Sequence, residues 1–428
     1  MRAFVRAVTL WGEHMSLRRI STALLALLAG MLGLAQAGPL SFNAALDIAE
    51  RQSPNLASNR AQIQAAQSSA IPAGALPDPK IVAGIDNYPV SGPDRGRLNA
   101  DSMTMQKIGV MQDFPNSAKR QARVAVAEAS IETAEAQQKI ERLKLRRATA
   151  LAWLNRYYLE RKISLFDSLD KENLLLSDAV RAQVVSGRTQ AADSVMPKQE
   201  AAQLADRRDD LVRDLVKAKA NLRRYVGGEA DEPLVDALPV LNIDAEHLRD
   251  HLHKHPELQA FVAETRKAEA EVREAQAMKK SDWGVELAYQ RRDPRFGNMV
   301  SVQFTFEIPV SPSTRQDPRI AAKQQELYRI DADREAMLRD HTNELENDLA
   351  DYQTLTRQLE RANQTTLPLA QQKLDFQYAG YRSGKNDLTA VLTARREIID
   401  QRLKIIDIDA QRAAIAAQLY FAYGEDLQ

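Results

Sequence analysis

Met299-Val300-Ser301-Val302-Gln303-Phe304-Thr305-Phe306-Glu307-Ile308 alternates without interruption until Pro309. In an extended chain Val300, Val302, Phe304, Phe306 and Ile308 share one face, opposite Ser301, Gln303, Thr305 and Glu307. Such a strand is either half-buried in a soluble sheet or part of a barrel, with lipid on its apolar side and water on the other. Just upstream, Trp283, Val285, Leu287 and Tyr289 alternate with Gly284, Glu286, Ala288 and Gln290. The short segment 292–297 between them makes a hairpin over about 283–309.

An earlier stretch reads the same way. Ile81, Ala83 and Ile85 alternate with Val82, Gly84 and Asp86; a Gly-, Pro- and Asp-rich tip follows, and a second strand runs from Met103 to Phe114, giving a hairpin over about 80–114. Four strands cannot close a membrane barrel, because the smallest bacterial barrels have about eight. Chains would have to share one. Trp283, Tyr289 and Tyr88 suit an interfacial girdle. Met103, Met105 and Met111 read as packing or lipid-facing residues, with a copper-binding methionine cluster as the alternative.

The two hairpins belong to a duplication of the whole chain. Ser53-Pro54-Asn55-Leu56 recurs as His255-Pro256-Glu257-Leu258, Phe114-Pro115 as Ile308-Pro309, Ser186-Gly187-Arg188 as Ser383-Gly384-Lys385, and Tyr225-Val226-Gly227 as Ala422-Tyr423-Gly424. The separations are 202, 194, 197 and 197 residues, so order and spacing are both kept. Residues 38–240 form the first repeat and 241–428 the second. Each opens with a helix, over 41–69 and 245–280, and continues through its hairpin into a long helix, about 116–186 and 319–382. Gly187 and Gly384 turn the chain into return helices over about 190–225 and 385–423. A 71-residue helix would be about 105 Å long, whereas the return helices are far shorter. The opening helix of the other repeat is expected to stack on each return helix and complete a rod. A break with room for a small mixed domain is expected over 227–244 and at the chain ends.

Arg18-Arg19, the apolar run 20–34 and Ala35-Gln36-Ala37 have the regions of a secretory signal peptide over residues 1–37, with cleavage before Gly38 and Met15 as an alternative start. The chain has no cysteine, which excludes disulfides, thiolate metal sites and an N-terminal lipidated Cys. Lysine plus arginine and aspartate plus glutamate number 58 each, and this zero net charge argues against a nucleic-acid partner. There is no P-loop, Gly-x-Ser-x-Gly or His-Glu-x-x-His motif, so no enzyme and no cofactor is expected.

With this order of elements, the chain resembles the TolC-like outer-membrane factors of tripartite efflux pumps over essentially all of its mature sequence. Ser186-Gly187…Asp193-Ser194-Val195 and Tyr381-Arg382-Ser383-Gly384…Leu388-Thr389-Ala390-Val391-Leu392 look like the family's paired helix-tip motif. Leu76-Pro77-Asp78-Pro79, Asn87-Tyr88-Pro89-Val90, Gly92-Pro93-Asp94 and Met103-Thr104-Met105…Ile108-Gly109-Val110-Met111-Gln112 look like its heavy-metal branch, the CzcC and CusC type. The resemblance implies a mainly α fold with a transmembrane β-barrel. In it a homotrimer builds a twelve-stranded outer-membrane barrel continued by a periplasmic α-helical tunnel. It further implies a periplasmic adaptor and an inner-membrane transporter of the resistance-nodulation-division class as partners, outer-membrane lipid around the barrel, and a passive duct for heavy-metal cations. Drug efflux or type I protein secretion is the alternative within the same fold. A soluble periplasmic coiled-coil or adaptor protein is the alternative of another class.

Family members close the periplasmic tip with acidic and tyrosine side chains. Asp193, six residues after Gly187, and Tyr381, three before Gly384, match those positions. In the second repeat Ala390 and Thr393 stand at the acidic positions, and Asp387 is the nearest acid. Gly187, Arg188, Gly384 and Lys385 mark the tips an adaptor would meet. Separately from the family pattern, His247 and His251 form an i, i+4 pair that suits a divalent metal, with His253 and His255 close behind. Solvated surface histidines are the other reading, since the first repeat carries Ala45, Ala49, Arg51 and Ser53 there.

Overall fold

The computed structural model describes residues 38–235 and 237–424; the signal-peptide reading of 1–37 lies outside the described residues. Helices α1 (Phe42–Gln52) and α2 (Pro54–Ala70) meet at Ser53. Ser41 caps α1 by accepting the Ala44 amide at 3.1 Å, and Ser53 caps α2 through the Leu56 amide at 3.3 Å. Pro54 takes the first helical position, where its missing N–H costs nothing. Strands β1 (Lys80–Asp86) and β2 (Met105–Phe114) follow, then the 69-residue helix α3 (Ser117–Val185) and the return helix α4 (Met196–Val226).

The same order then repeats. Helices α5 (Ala245–His251) and α6 (Pro256–Ala277) lead to β3 (Trp283–Arg291) and β4 (Met299–Phe306). Helices α7 (Pro312–Arg361) and α8 (Leu367–Arg382) lead to the return helix α9 (Leu388–Leu419). Two segments read as unbroken helix in the sequence are divided. His255-Pro256 splits α5 from α6 as Ser53-Pro54 splits α1 from α2, with His255 Nδ1 accepting the Glu257 amide at 3.2 Å. A π-helical turn, Ala362–Thr366, separates α7 from α8 directly before Pro368. Proline cannot donate to the turn before it and its ring crowds that turn, so a locally widened helix accommodates it.

The four strands form one antiparallel sheet in the order β1-β2-β3-β4. The hairpins join through β2 and β3, with Gly109 opposite Ala288 and Met111 opposite Glu286. This register puts Ile81, Ile85, Ile108, Val110, Leu287, Val300, Val302, Phe304 and Phe306 on one face, and each is at least half exposed. The opposite face carries Lys107, paired with Glu286, and a Lys80–Asp113 ion pair at 2.7 Å. Trp283 stacks on Phe114 at 4.3 Å at one end of the apolar band, and Tyr289 lies on the same face six residues along, about 20 Å away. No helix among the described residues is long and apolar enough to cross a membrane.

Sheet and helices are clamped where β3 and α3 begin. Asn116 caps α3 by accepting the Lys119 amide at 2.8 Å. Its own amide donates to Asp282 Oδ1 at 2.8 Å, while Lys119 Nζ reaches Asp282 Oδ2, also at 2.8 Å. Burial works against an ionised Asp282, but the Lys119 and Asn116 hydrogen bonds outweigh it and hold its carboxyl below the usual range.

The return helices meet opening helices of both repeats: Phe421 at the end of α9 stacks on Phe42 of α1 in the other repeat, with ring centroids 6.3 Å apart. The end of α4 meets α1 of its own repeat, where a Cβ on Gly227 would approach Gln52 Oε1 to 3.1 Å. The end of α9 meets α5 of its own repeat through Leu248, Leu419, Ala422 and Tyr423. Laterally, α1, α2 and α4 pack along α3, while α6 and α9 share the groove between α3 and α7. Helix lengths show that a partner is needed, but the groove selects which one. The main core lies at this level, around the fully buried Trp153, with Phe42, Leu46, Leu222, Val226 and Phe421. Among the described residues of 227–244 the helix breaks into a 3-10 turn, Gly227–Asp231, and Leu234 makes a parallel bridge with Leu40.

Gly109 gives the sheet its tightest contact, since a Cβ there would come within 2.8 Å of both the Ala288 Cβ and the Leu287 carbonyl oxygen. Gly109→Ala is expected to separate β2 from β3 and cost about 1–3 kcal/mol, seen as a lower midpoint in urea unfolding and a lower membrane yield. Gly84→Ala, where a Cβ meets nothing within 4 Å, serves as the control and should change little.

Candidate functional site at the helix tips

Both long helical stretches end in the same backbone device. Gly187 (φ 71°) and Gly384 (φ 74°) take the left-handed conformation. The Gly187 and Arg188 amides donate back to Val184 and Gln183, and those of Gly384 and Lys385 to Tyr381 and Gly380. Each is a Schellman closure, which satisfies carbonyls that a helix end would leave orphaned. Arg188 and Lys385 are both exposed just beyond the turns.

The acidic residues at the tips act first as local caps. Asp193 sits in a 3-10 turn, Ala191–Val195, where its carboxylate accepts from the Thr189 hydroxyl and, at 3.2 Å, from the Gln190 amide. Asp387 caps α9 by accepting the Ala390 amide at 2.9 Å and remains exposed. Tyr381 packs against Val180, Leu388, Val391 and Leu392, and its buried hydroxyl has no hydrogen-bond partner among the described residues. Thus the structure brings the three residues to one end of the molecule, each held by its own neighbours.

Behind the tips lies a polar node that the sequence reading missed. Arg395 on α9, nine-tenths buried, donates to Asn173 Oδ1 at 3.0 Å and to the Leu169 carbonyl at 3.2 Å, both on α3. Asn173 donates in turn to the Pro197 carbonyl of α4 at 2.9 Å. Glu200 on α4 is 2% exposed and lies 3.6 Å from Arg395 Nη1, with neither oxygen hydrogen-bonded. Burial pushes its carboxyl pKa up, against the lowering pull of Arg395 and Arg396. A signal was available: Arg395 interrupts the buried stripe Leu388, Val391, Leu392, Ile398, Ile399 at helical spacing. Glu200 interrupts Pro197 and Leu204 in the same way.

The predicted metal pair, His247 and His251, stacks ring on ring at 3.9 Å on the surface, with His251 Nδ1 3.0 Å from the His247 carbonyl. A different histidine group is buried. His255 and His341 lie with ring centroids 4.0 Å apart, and His341 Nε2 is 3.1 Å from Glu257 Oε2. Burial, followed by the neighbouring His341, pushes the His255 pKa down to about 4. His341 is 86 residues away in sequence, and only its place on the buried stripe Ile330, Leu345, Leu349 of α7 marks it.

The fold and its paired tips define a long helical body hung from a small antiparallel sheet, an architecture that recurs in known proteins. Residues 248–425 match the family described as "Outer membrane efflux protein". The cobalt-zinc-cadmium resistance protein CzcC of Cupriavidus metallidurans is 22% identical over 387 residues, covering 88% of each chain. A membrane protein from Pseudomonas aeruginosa superposes with TM-score 0.76 at 15% identity, over 90% of this chain and 92% of that one. CusC gives 0.73 at 15% identity, over 90% and 92%. VceC of Vibrio cholerae gives 0.73 at 18% identity, over 90% and 97%. Over residues 248–425 the chain is thus similar in sequence to the outer-membrane efflux proteins, and over nine-tenths of its length it shares the fold of CusC and VceC. Proteins of this family are transport ducts, and this one is not an enzyme.

Arg395→Ala leaves the buried Glu200 without its cation and is expected to cost about 3–5 kcal/mol, read as a lower urea midpoint by circular dichroism. Glu200→Gln should do the opposite at neutral pH. The raised pKa means that the folded state is penalised as pH rises through the unfolded carboxyl value of about 4.3. The Gln variant should therefore be more stable than its parent at pH 7, the gain closing as the pH approaches 4.

Proposed function

We propose that the protein is the outer-membrane exit duct of a tripartite efflux pump for heavy-metal cations, three copies closing one twelve-stranded barrel. The sheet carries this reading. Its apolar face is exposed over all four strands, its other face is charged, and its outer strands β1 and β4 each have an edge without a partner among the described residues. In hydrocarbon an unpaired backbone edge is prohibitive, so a sheet with this apolar face needs further copies of itself to surround a polar lumen. The helices, about 105 Å long as the rise per residue dictates, then continue that lumen into the periplasm. Similarity to CzcC, a cobalt-zinc-cadmium resistance protein, supports divalent metal cations as cargo.

The same reading gives the tips their roles. Exposed Arg188 and Lys385, held by the turns at Gly187 and Gly384, form the surface that a periplasmic adaptor meets. The adaptor in turn links the duct to an inner-membrane transporter of the resistance-nodulation-division class. Asp193, Asp387 and Tyr381 form the gate; Asp387 is exposed at its tip and open to a neighbouring copy, while Tyr381 packs beneath it against Leu388 and Val391. Opening then needs the loss of bonds between copies rather than unfolding of the caps within one.

The absence of native cysteine makes closure directly testable. An Ile85→Cys, Val300→Cys double variant, treated in membranes with a short bis-maleimide, should give a ladder ending at the trimer on denaturing gels. Each single variant should stop at the dimer or below, and a double variant that stays monomeric would sink the shared barrel. Deleting the gene should raise sensitivity to cobalt, zinc or cadmium, with unchanged tolerance of all three counting against the cargo.

For the gate, Asp193→Asn keeps the capping acceptor and removes the charge. It is expected to raise single-channel conductance in planar bilayers several-fold, as Asp193→Ala does. Conductance unchanged in both variants would remove Asp193 from the gate.

A further inference from the structure

The joint between α5 and α6, where His255 meets α7 and Tyr423, contains more chemistry than packing requires. In the first repeat the equivalent joint is capped by Ser53, whose hydroxyl alone satisfies the helix start. In the second repeat His255 performs that capping and also brings an imidazole against His341 of α7 and Glu257 of α6. His255 and His341 are 4% and 7% exposed, while Glu257 is only half-buried and gives the group an approach from solvent.

We propose that His255, Glu257 and His341 form a binding site for a divalent cation of the zinc class in the wall of the helical body. Each side chain can offer a ligand atom, and these atoms all lie within 4.8 Å of one another. Donors around tetrahedral zinc, with bonds of about 2.0–2.1 Å, stand roughly 3.3 Å apart, so side-chain rotations of about 1 Å suffice. The surroundings already orient the set. The Tyr423 hydroxyl lies 3.3 Å from His341 Nδ1 and leaves Nε2 facing Glu257. Lys144 Nζ lies 3.3 Å from Glu257 Oε1 and engages one carboxylate oxygen, while the other faces His341.

Two imidazoles and a carboxylate, with no thiolate, select zinc, cobalt or nickel over soft monovalent copper or silver. Three protein ligands leave a fourth position for water. Binding through His255 Nε2 moves that ring's proton to Nδ1 and gives up its cap, so the cation takes over the task of joining α6 to α7. The site lies on the second repeat alone, and its ligands are distinct from the exposed His247–His251 pair. It needs neither pump nor barrel to operate.

The test uses the full-length protein in detergent, stripped with a chelator and titrated with zinc chloride by calorimetry. Cobalt chloride is added in parallel to read the visible absorption of tetrahedral Co2+. One cation per chain is expected, bound at micromolar or tighter Kd. His255→Ser recreates the cap of the first repeat, so it should fold as the parent does and bind at least 10-fold more weakly. His341→Gln should do the same. His247→Ala with His251→Ala should leave the affinity unchanged. No binding by the parent, binding undiminished in His255→Ser and His341→Gln, or binding lost with the surface pair would each overturn the site. None of these results bears on the duct, which the cross-linking tests.

Discussion

A backbone amide or carbonyl in hydrocarbon has nothing to bond to except another backbone. One chain of this protein supplies a sheet with a continuous apolar face and two edges that have no partner among the described residues. Most other features follow from that deficit. A two-hairpin sheet is too narrow to curl on itself, so the closure proposed above draws on copies of the same chain. Glycine at 109 and alanine at 288 let the two hairpins approach closely at their seam. On the polar side, Lys107 and Glu286 pair across the same seam and neutralise one another. The hairpins therefore act as one unit before any neighbour arrives.

The helices depend on how firmly they hang from the sheet. A 69-residue helix has no lateral stability of its own, and its mean apolar content is low. It gains stability by packing along its length with α1, α2 and α4 on one side and α6 and α9 on another. Many ion pairs along these flanks are exposed, and each contributes little. The Asn116–Asp282–Lys119 clamp is different, because it ties the first turn of α3 to the entry of β3 across the two repeats. A rotation of the long helix would have to pass through that clamp to reach the sheet.

Strand Met299–Phe306 and the glycine tips were legible because each rests on local rules, alternation for one and positive φ for the other. The division at His255-Pro256 was also on the page, since the duplication aligns it with Ser53-Pro54; the helical pattern on both sides concealed it. The stacking partner of each return helix could not be read from lengths, because both candidate helices have suitable lengths and the deciding groove exists only in three dimensions. Arg395, Glu200 and His341 were missed for a common reason. Each occupies an apolar stripe, where a search for clustered polar residues does not look, although a lone charge on such a stripe is itself informative.

The duplication also sets how far the two repeats can diverge. In a trimer of the proposed kind, a partner would meet six hairpins related by near-sixfold symmetry, and their identical Schellman closures present the same backbone at each. Their side chains differ. In the second tip, Asn386 lies so close over Gly380 that a Cβ there would come within 2.3 Å of its Nδ2, whereas the first repeat has Gln183 at the matching position. At the upper joint one repeat has the serine cap and the other the buried histidines. Backbone geometry can thus satisfy a six-part partner while side chains distinguish alternate hairpins. A gate or a cation site built on one repeat occurs three times, once per chain, without disturbing the surface that must repeat six times.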